Sequence, residues 1–195
     1  MTISTEQIKE LRDRTGISMM ACKKALEEAD GNIEKAVQIL RKEGAKVADK
    51  KSERALKAGI VDAYIHVTKK VAVMVEARSE TDFVAKNEGF QEFAHNVAMH
   101  IAGMNPKYVS ESEISEAEKE EIRKICQEQV ASVDKPEEIK KKIIEGRMND
   151  YVKEKTLMLQ PYIKNPEITI ADYVRENIQK FGENIEISRF VRYSA

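Results

Sequence analysis

The residues in this 195-residue chain that most readily bind metals or act as nucleophiles are three histidines and two cysteines. His66 stands alone, and His95 and His100 are five positions apart rather than the four that suit paired metal ligands on a helix. Cys22 and Cys126 are distant from each other, and neither has a CxxC partner. This pattern indicates a reducing compartment and predicts neither a disulfide scaffold nor a zinc site.

The motifs that mark common enzyme classes are also missing from the sequence. It has no GxGxxG or GxxxxGK[ST] phosphate loop, no GxSxG elbow and no cysteine–histidine signature. Adjacent carboxylates such as Glu27 and Glu28 fall on exposed helix faces and are typical of solvation. We therefore expect a protein that catalyses no covalent chemistry and uses no metal or cofactor of its own.

Composition limits the partners further. The chain has 34 acidic and 33 basic residues, so there is no overall attraction to nucleic acid or to an anionic membrane. No apolar run is long enough to span a bilayer, and the first residues lack a basic stretch followed by an apolar one. These features predict a helix-rich cytoplasmic protein without direct contact to nucleic acid or membrane.

Residues 80–89 predict a sharp corner between a strand and a helix, which is a rigid way to present one or two side chains. It follows an alternating run that predicts a strand at residues 71–78 and precedes a periodic helix that starts near Phe90. Thr81 or Asp82 can cap the first helical turn. Phe83 then occupies that turn beside a carboxylate.

Two interpretations of Phe83 remain open from the pattern. Phe83 falls close to one helical stripe with Phe90, Val97 and Ile101, and large apolar side chains on such a stripe are usually buried. Gly89, however, interrupts the stripe and favours a short separate turn from which Phe83 points outward. Periodicity does not decide between these interpretations.

The first 54 residues predict a three-helix domain followed by a charged linker. Ser4 and Gln7 form a capping box, and glycines at positions 16, 31 and 44 end three successive short amphipathic helices. Residues 44–54 are rich in charge and poor in large apolar side chains, so we place the domain boundary there. Met20 lies off the apolar stripe of the second helix. It either contacts another protein or folds beneath the preceding loop.

Residues 55–195 predict a second domain with a small antiparallel sheet packed against helices. Val61, Ala63, Ile65 and Val67 alternate with polar residues as the inner face of a first strand. A three-residue loop would pair Ile65 with Val73 in the next strand. Further helices follow, and a third strand starts at Ile185, so the fold class is α+β.

Three motifs carry a resemblance to a known family. They are LRxxTGxSMMxxKKAL at residues 11–26, ETDFVAK at 80–86, and a C-terminal stretch that runs from QP at 160–161 to SRFVRY at 188–193. In this order and at this separation they resemble the signatures of the bacterial translation elongation factor Ts family. The resemblance covers essentially the whole chain.

The resemblance implies a guanine-nucleotide exchange factor for elongation factor Tu, the GTPase that carries aminoacyl-tRNA to the ribosome. It implies a ubiquitin-associated-like (UBA-like) fold for the N-terminal helices. It also implies that a contact near the magnesium and phosphate site of the GTPase drives GDP release. The residues carried over to that exchange contact are Thr81, Asp82, Phe83 and Val84. Those carried over to a contact between the N-terminal domain and the G domain are Arg12, Met19, Met20 and Lys23, with Ile163 in support.

The resemblance is to the short form of the family, which implies a homodimer built through the core domain. Lys164 departs from relatives that carry an apolar residue after Ile163, which puts that supporting contact in question. The alternative function is a non-catalytic adaptor whose three-helix domain binds a helical partner while the core serves as a scaffold.

Overall fold

The computed structural model describes residues 3–132 and 135–195 of the chain. These residues form the expected α+β architecture of helices and antiparallel sheets. The helices are α1 (Thr5–Thr15), α2 (Met19–Glu28), α3 (Ile33–Lys51), α4 (Asp82–Ala85), α5 (Glu88–Met104), α6 (Glu116–Ala131), α7 (Glu137–Lys155) and α8 (Ile170–Phe181). The strands are β1 (Ala58–Ile65), β2 (Val71–Ser79), β3 (Pro161–Tyr162), β4 (Asn165–Thr169) and β5 (Ile185–Ser194).

Helices α1, α2 and α3 form a small bundle around their own apolar cluster. The predicted capping box is present, because the Ser4 hydroxyl accepts the Gln7 N–H and the Gln7 side chain accepts the Ser4 N–H. The fully buried large side chains of the bundle are Leu11, Leu26 and Leu40. The three-helix prediction for the N-terminal part is confirmed.

The prediction that Gly44 ends the third helix is wrong, because α3 continues to Lys51. Gly44 is buried where α3 crosses α8, and a Cβ added there would lie 2.6 Å from Oε1 of Gln179. The glycine therefore allows α3 and α8 to approach closely, and it does not end a helix. The last turns of α3 bring Val47 and Ala48 onto the core of the second part of the chain.

The main sheet has the order β1-β2-β5, with both pairs antiparallel. The predicted pairing of Ile65 with Val73 is wrong by one residue, since Tyr64 pairs with Val73. Lys69, with φ of 56°, closes a longer turn in which its N–H bonds to the carbonyl oxygen of His66. Because side chains alternate along a strand, a one-residue slip exchanges the two faces of β1.

The slip leaves the residues predicted for the inner face of β1 on the outer face of the sheet, where Val61 is 64% and Ile65 is 66% exposed. Ile60 and Tyr64 pack inward instead, against the core. A β-bulge opposite the Glu76–Ala77 step does the same in β5, so that Phe190 faces the core and Tyr193 is 68% exposed. Because of the bulge, Ile185 and Ile187 face the core before it and Phe190 faces the core after it.

Helix α5 packs along the inner face of β1 and β2 and contributes the two largest fully buried side chains, Phe90 and Phe93. Its C-terminal end leads to the antiparallel pair α6 and α7, which contact each other and contribute little to the core. The Ser115 hydroxyl caps α6 by accepting the Glu118 N–H. The Glu118 carboxylate accepts from Lys107, Tyr108 and Tyr151 instead of from the Ser115 N–H, so no capping box forms here.

Within the described residues, every helix is too short or too polar to cross a lipid bilayer.

Candidate functional site

The corner between β2 and α5 presents Phe83 outward. Phe83 is 89% exposed, whereas Val84, the next residue, is 9% exposed and packs in the core. Ala85 is also buried, so the backbone of α4 is anchored on the side opposite the phenyl ring. The outward interpretation of Phe83 is therefore confirmed, and the core interpretation is wrong.

Thr81 occupies the N-cap position of α4, but its side chain does not cap the helix. Its hydroxyl and its N–H both bond to the carboxylate of Glu183, at 2.5 and 3.0 Å. Asp82 is exposed beside Phe83. The corner thus presents the ring of Phe83 and the carboxylate of Asp82 to solvent, and the buried side chain of Val84 holds both in place.

Sequence reasoning missed the groups that hold this corner from behind. Glu80 accepts the N–H of Asn184 at 2.6 Å and pairs with Arg54 at 3.4 Å. Glu183 holds Thr81 from the same turn between α8 and β5. Asn184 and Glu183 are about 100 positions from the residues they hold and follow no periodic pattern, so in the sequence only the glycine that ends α8 signals the turn.

A second surface lies on the N-terminal bundle. Met20 is 78% exposed in the first turn of α2, which rejects the interpretation that it folds beneath the preceding loop. Met19 packs partly against the bundle interior. Arg12 and Lys23 are exposed, and Lys23 lies 3.8 Å from Glu27 one turn later. One apolar side chain and two cations are therefore available here.

A third surface is the tight turn between β3 and β4, where Ile163 is 45% exposed. Its N–H bonds to Nδ1 of His100 at 3.2 Å, and Nζ of Lys164 donates to Oδ1 of Asn96 at 2.8 Å. Asn96 and His100 are neighbours on one face of α5, since they are four residues apart. Lys164 is thus folded back onto α5 and leaves Ile163 as the apolar tip of the turn.

The histidine beneath this turn is held neutral. His100 is fully buried, and burial lowers the pKa of its imidazole, although the hydrogen bond to Gln160 partly opposes the shift. Since the Ile163 N–H donates to Nδ1, the proton of the ring is on Nε2, which donates to Oε1 of Gln160 at 3.0 Å. The ring therefore serves as a structural link between α5 and the turn.

The three surfaces do not converge on one pocket. The Phe83 corner precedes α5 and the Ile163 turn packs on its C-terminal half, so they are separated by about 20 Å of helix. Among the described residues, no cluster of histidine, cysteine or carboxylate side chains could hold a metal ion. Exposed apolar residues at separate points of a rigid scaffold suit a large protein partner better than a small ligand.

Comparison with known proteins agrees with this description. The family model described as Elongation factor TS matches residues 6–195. The chain belongs to the elongation factor Ts family. It is 47% identical over 193 residues to elongation factor Ts of Alkaliphilus metalliredigens, an alignment that covers 99% of this chain and 89% of that protein. It is 46% identical over 192 residues to elongation factor Ts of Thermosipho melanesiensis, which covers 98% of both chains.

Membership of the elongation factor Ts family assigns the chain to translation elongation. Its fold agrees with the expectation for that family of a three-helix bundle followed by a core with a small antiparallel sheet.

Proposed function

We propose that this chain is a guanine-nucleotide exchange factor for elongation factor Tu. It binds the GTPase, promotes release of GDP and leaves when GTP rebinds. The observation that carries the proposal is the exposed ring of Phe83 on a turn whose next two residues are buried. Such a ring enters a partner with little loss of conformational freedom, because its backbone is already fixed.

The mechanism follows from how a GTPase holds its nucleotide. Backbone amides, a lysine and a magnesium ion bind the phosphates of GDP. Magnesium requires nearly ideal octahedral geometry, so a small displacement of the surrounding elements weakens the site. Phe83 supplies the displacement as an apolar wedge, and the Asp82 carboxylate competes with phosphate for the same donors. No covalent bond is made or broken.

The release is reversible by thermodynamic necessity. If the exchange factor weakens GDP binding by a given factor, GDP weakens binding of the exchange factor by the same factor. This chain therefore stabilises the nucleotide-free GTPase and dissociates when nucleotide returns. In this proposal it needs no cofactor of its own.

In this proposal the surfaces on the N-terminal bundle and on the Ile163 turn hold the GTPase in place while Phe83 displaces part of its nucleotide site. Arg12, Met19, Met20 and Lys23 would brace the N-terminal domain against a helix of the G domain, with Met20 as the apolar centre. Ile163 would support the complex from the far end of α5. In this proposal the chain consists of an N-terminal domain, residues 1–54, and a core domain, residues 55–195, each of which contacts the GTPase.

The deciding experiment measures loss of fluorescent GDP from elongation factor Tu with catalytic amounts of this protein. We expect the wild type to accelerate GDP loss and Phe83→Ala to reduce kcat/KM at least about 100-fold, since misplaced or missing contact atoms have effects of this size. The variant should unfold at the wild-type temperature, because the ring makes little contact with its own chain.

The matched control is Ile139→Ala, which removes another exposed apolar side chain from α7, outside the three surfaces. It should exchange nucleotide as the wild type does. If Phe83→Ala exchanged normally as well, the wedge would be refuted and a non-catalytic adaptor would be the better description. In that case, Met20→Ala should still weaken partner binding.

We also propose that two copies associate through the outer face of the β1-β2-β5 sheet. This face joins exposed apolar side chains from all three strands, with the ion pair of Arg189 and Glu76 among them. A contiguous apolar face of this kind is rarely left in water by a monomer. The exposed apolar residues on it are Val61, Ile65, Met74, Val191 and Tyr193.

Light scattering after gel filtration tests the dimer. The wild type should have twice the mass of one chain, and Val61→Glu should shift it to the monomer because a buried unpaired charge is costly. Glu145→Lys, which changes an exposed charge on α7, away from the sheet, serves as the control. A wild type that stays monomeric at working concentration would overturn this part of the proposal.

A further inference from the structure

The turn between α8 and β5 makes an unusual contact with the corner that carries Phe83. Oε2 of Glu183 accepts the N–H of Thr81 at 3.0 Å, and Oε1 accepts its hydroxyl at 2.5 Å. One carboxylate therefore engages both donors of a single residue. Hydrogen bonds to an ionised acceptor are about twice as strong as those between neutral groups.

Thr81 controls the direction in which the chain leaves the sheet. It has extended backbone angles, φ −131° and ψ 157°, and it directly precedes α4. Any rotation about these bonds swings Asp82 and Phe83 together. The burial of Val84 and Ala85 anchors the far end of α4, but the helix has only four residues and no side-chain cap at the Thr81 end.

The position of Glu183 is itself well defined. Gly182 ends α8 in the left-handed region with φ of 72°, and Asn184 is buried. The Asn184 side chain donates to the carbonyl oxygens of Ser52 and Arg54, at 3.4 and 3.2 Å. The turn is therefore fixed to both the end of α8 and the chain that follows α3, and it can transmit this rigidity to the corner.

The remaining bonds of the corner do not replace this contact. The Ser79 hydroxyl donates to the Thr81 carbonyl oxygen at 3.1 Å, and Glu80 accepts the Asn184 N–H at 2.6 Å. The Ser79 bond holds the carbonyl group of Thr81, which also accepts the Ala85 N–H at 3.2 Å, and the Glu80 bond restrains the strand side of the corner. Glu183 holds the N–H and the hydroxyl of Thr81, the residue at which the chain turns toward Phe83.

We infer that Glu183 is a positioning residue for nucleotide exchange: its carboxylate fixes Thr81 and so sets the angle at which Phe83 enters the GTPase. The inference rests on the proposed exchange function and adds a residue to it. Glu183 does not touch the partner in this scheme. Its effect passes entirely through Thr81 and Phe83.

The first test compares Glu183→Ala and Glu183→Gln in the fluorescent GDP assay with elongation factor Tu. Alanine removes both acceptors, and we expect kcat/KM to fall about tenfold, in line with a small misplacement of a contact group. Glutamine keeps one acceptor oxygen in a side chain of the same size, so its loss should be intermediate. Glu53→Ala removes a nearby exposed carboxylate, between the two residues whose carbonyl groups hold Asn184, and should exchange normally.

Double-mutant cycles separate positioning from general stability. In the Phe83→Ala background, Glu183→Ala should cost less than about twofold, because there is no ring left to misplace. In the Met20→Ala background it should still cost about tenfold. Thr81→Val, which removes the hydroxyl only, should be strongly non-additive with Glu183→Ala. A loss of global stability would instead reduce exchange equally in every background.

The outcomes distinguish this inference from the function on which it rests. If Phe83→Ala exchanges normally, the proposed function itself fails. If Phe83→Ala is inactive while Glu183→Ala and Glu183→Gln exchange like the wild type, only the positioning role is refuted. Equal effects of Glu183→Ala in the Phe83→Ala and Met20→Ala backgrounds would also refute it.

Discussion

Ile163 donates its backbone N–H to Nδ1 of His100, a fully buried imidazole, at 3.2 Å. The bond requires an unprotonated Nδ1, because a proton there would face the N–H of Ile163. Burial lowers the pKa of His100 in the folded chain below its unfolded value of about 6.5. The apolar tip of the β3–β4 turn is therefore held by a hydrogen bond that is lost when acid protonates His100.

The first prediction concerns this histidine and pH. A group whose pKa is lower in the folded state binds more protons when unfolded, so stability falls as pH drops below about 6.5 and levels off below the folded pKa. For one proton the limiting slope is about 1.4 kcal/mol per pH unit. Urea unfolding of the wild type at pH 7.5 and 5.5 measures this dependence.

The control for this prediction is His100→Gln, which removes the titrating ring. We expect it to be less stable at pH 7.5, since it loses a buried hydrogen-bonded link. It should also lose part of the decline between pH 7.5 and 5.5. An unchanged decline would assign the pH dependence to other groups.

The second prediction compares neighbours on α4 that face opposite ways. Val84→Ala removes buried methyl groups and should lower the free energy of unfolding by about 1–2 kcal/mol. Phe83→Ala should leave it within about 0.5 kcal/mol, because an exposed side chain contributes little to folding. Thermal or urea unfolding of both variants checks the contrast. Equal destabilisation by the two changes would show that the ring packs on its own chain.

The orientation of Phe83 illustrates what a sequence pattern can establish. Helical periodicity placed Phe83 on the same stripe as Phe90, which is buried, and only the interruption at Gly89 favoured a separate turn. The separation comes from Asn87, whose side chain caps α5 and starts a new helix with its own phase. The family resemblance of residues 80–86 implied that Phe83 is exposed. Periodicity could not show this, because it treats α4 and α5 as one continuous helix, whereas the break between them decides which way Phe83 faces.

The sheet shows a different limit. Three strands and their antiparallel order were predictable from alternation, yet both faces of β1 carry apolar residues and so either could be internal. The turn at Lys69 decides the register, because Lys69 adopts a positive φ. The sequence gives no sign of this, since glycine and asparagine are the usual residues at positions with a positive φ. The exposed apolar face therefore results from that turn together with the bulge in β5.

The third prediction concerns Lys164, the departure from the family pattern that put the supporting contact at Ile163 in question. Its ammonium group donates to Oδ1 of Asn96 at 2.8 Å, and the Asn96 side chain in turn donates to the Tyr173 hydroxyl at 3.2 Å. Lys164→Met should therefore destabilise the chain by about 1 kcal/mol rather than strengthen partner binding. Unfolding and affinity for elongation factor Tu are measured together. Tighter binding by the variant would show that the lysine opposes the contact.

The last prediction uses two glycines with opposite surroundings. A Cβ at Gly59 would lie 2.6 Å from the carbonyl oxygen of Ala77 on the neighbouring strand, whereas a Cβ at Gly146 meets nothing within 4 Å. Gly59→Ala should destabilise the chain by about 1–3 kcal/mol, because backbone atoms of the sheet must move apart. Gly146→Ala lies inside α7 and should stabilise it by up to about 1 kcal/mol through helix propensity. Urea unfolding of both variants against the wild type measures the two effects, and a tolerated Gly59→Ala would contradict the close pairing of β1 with β2.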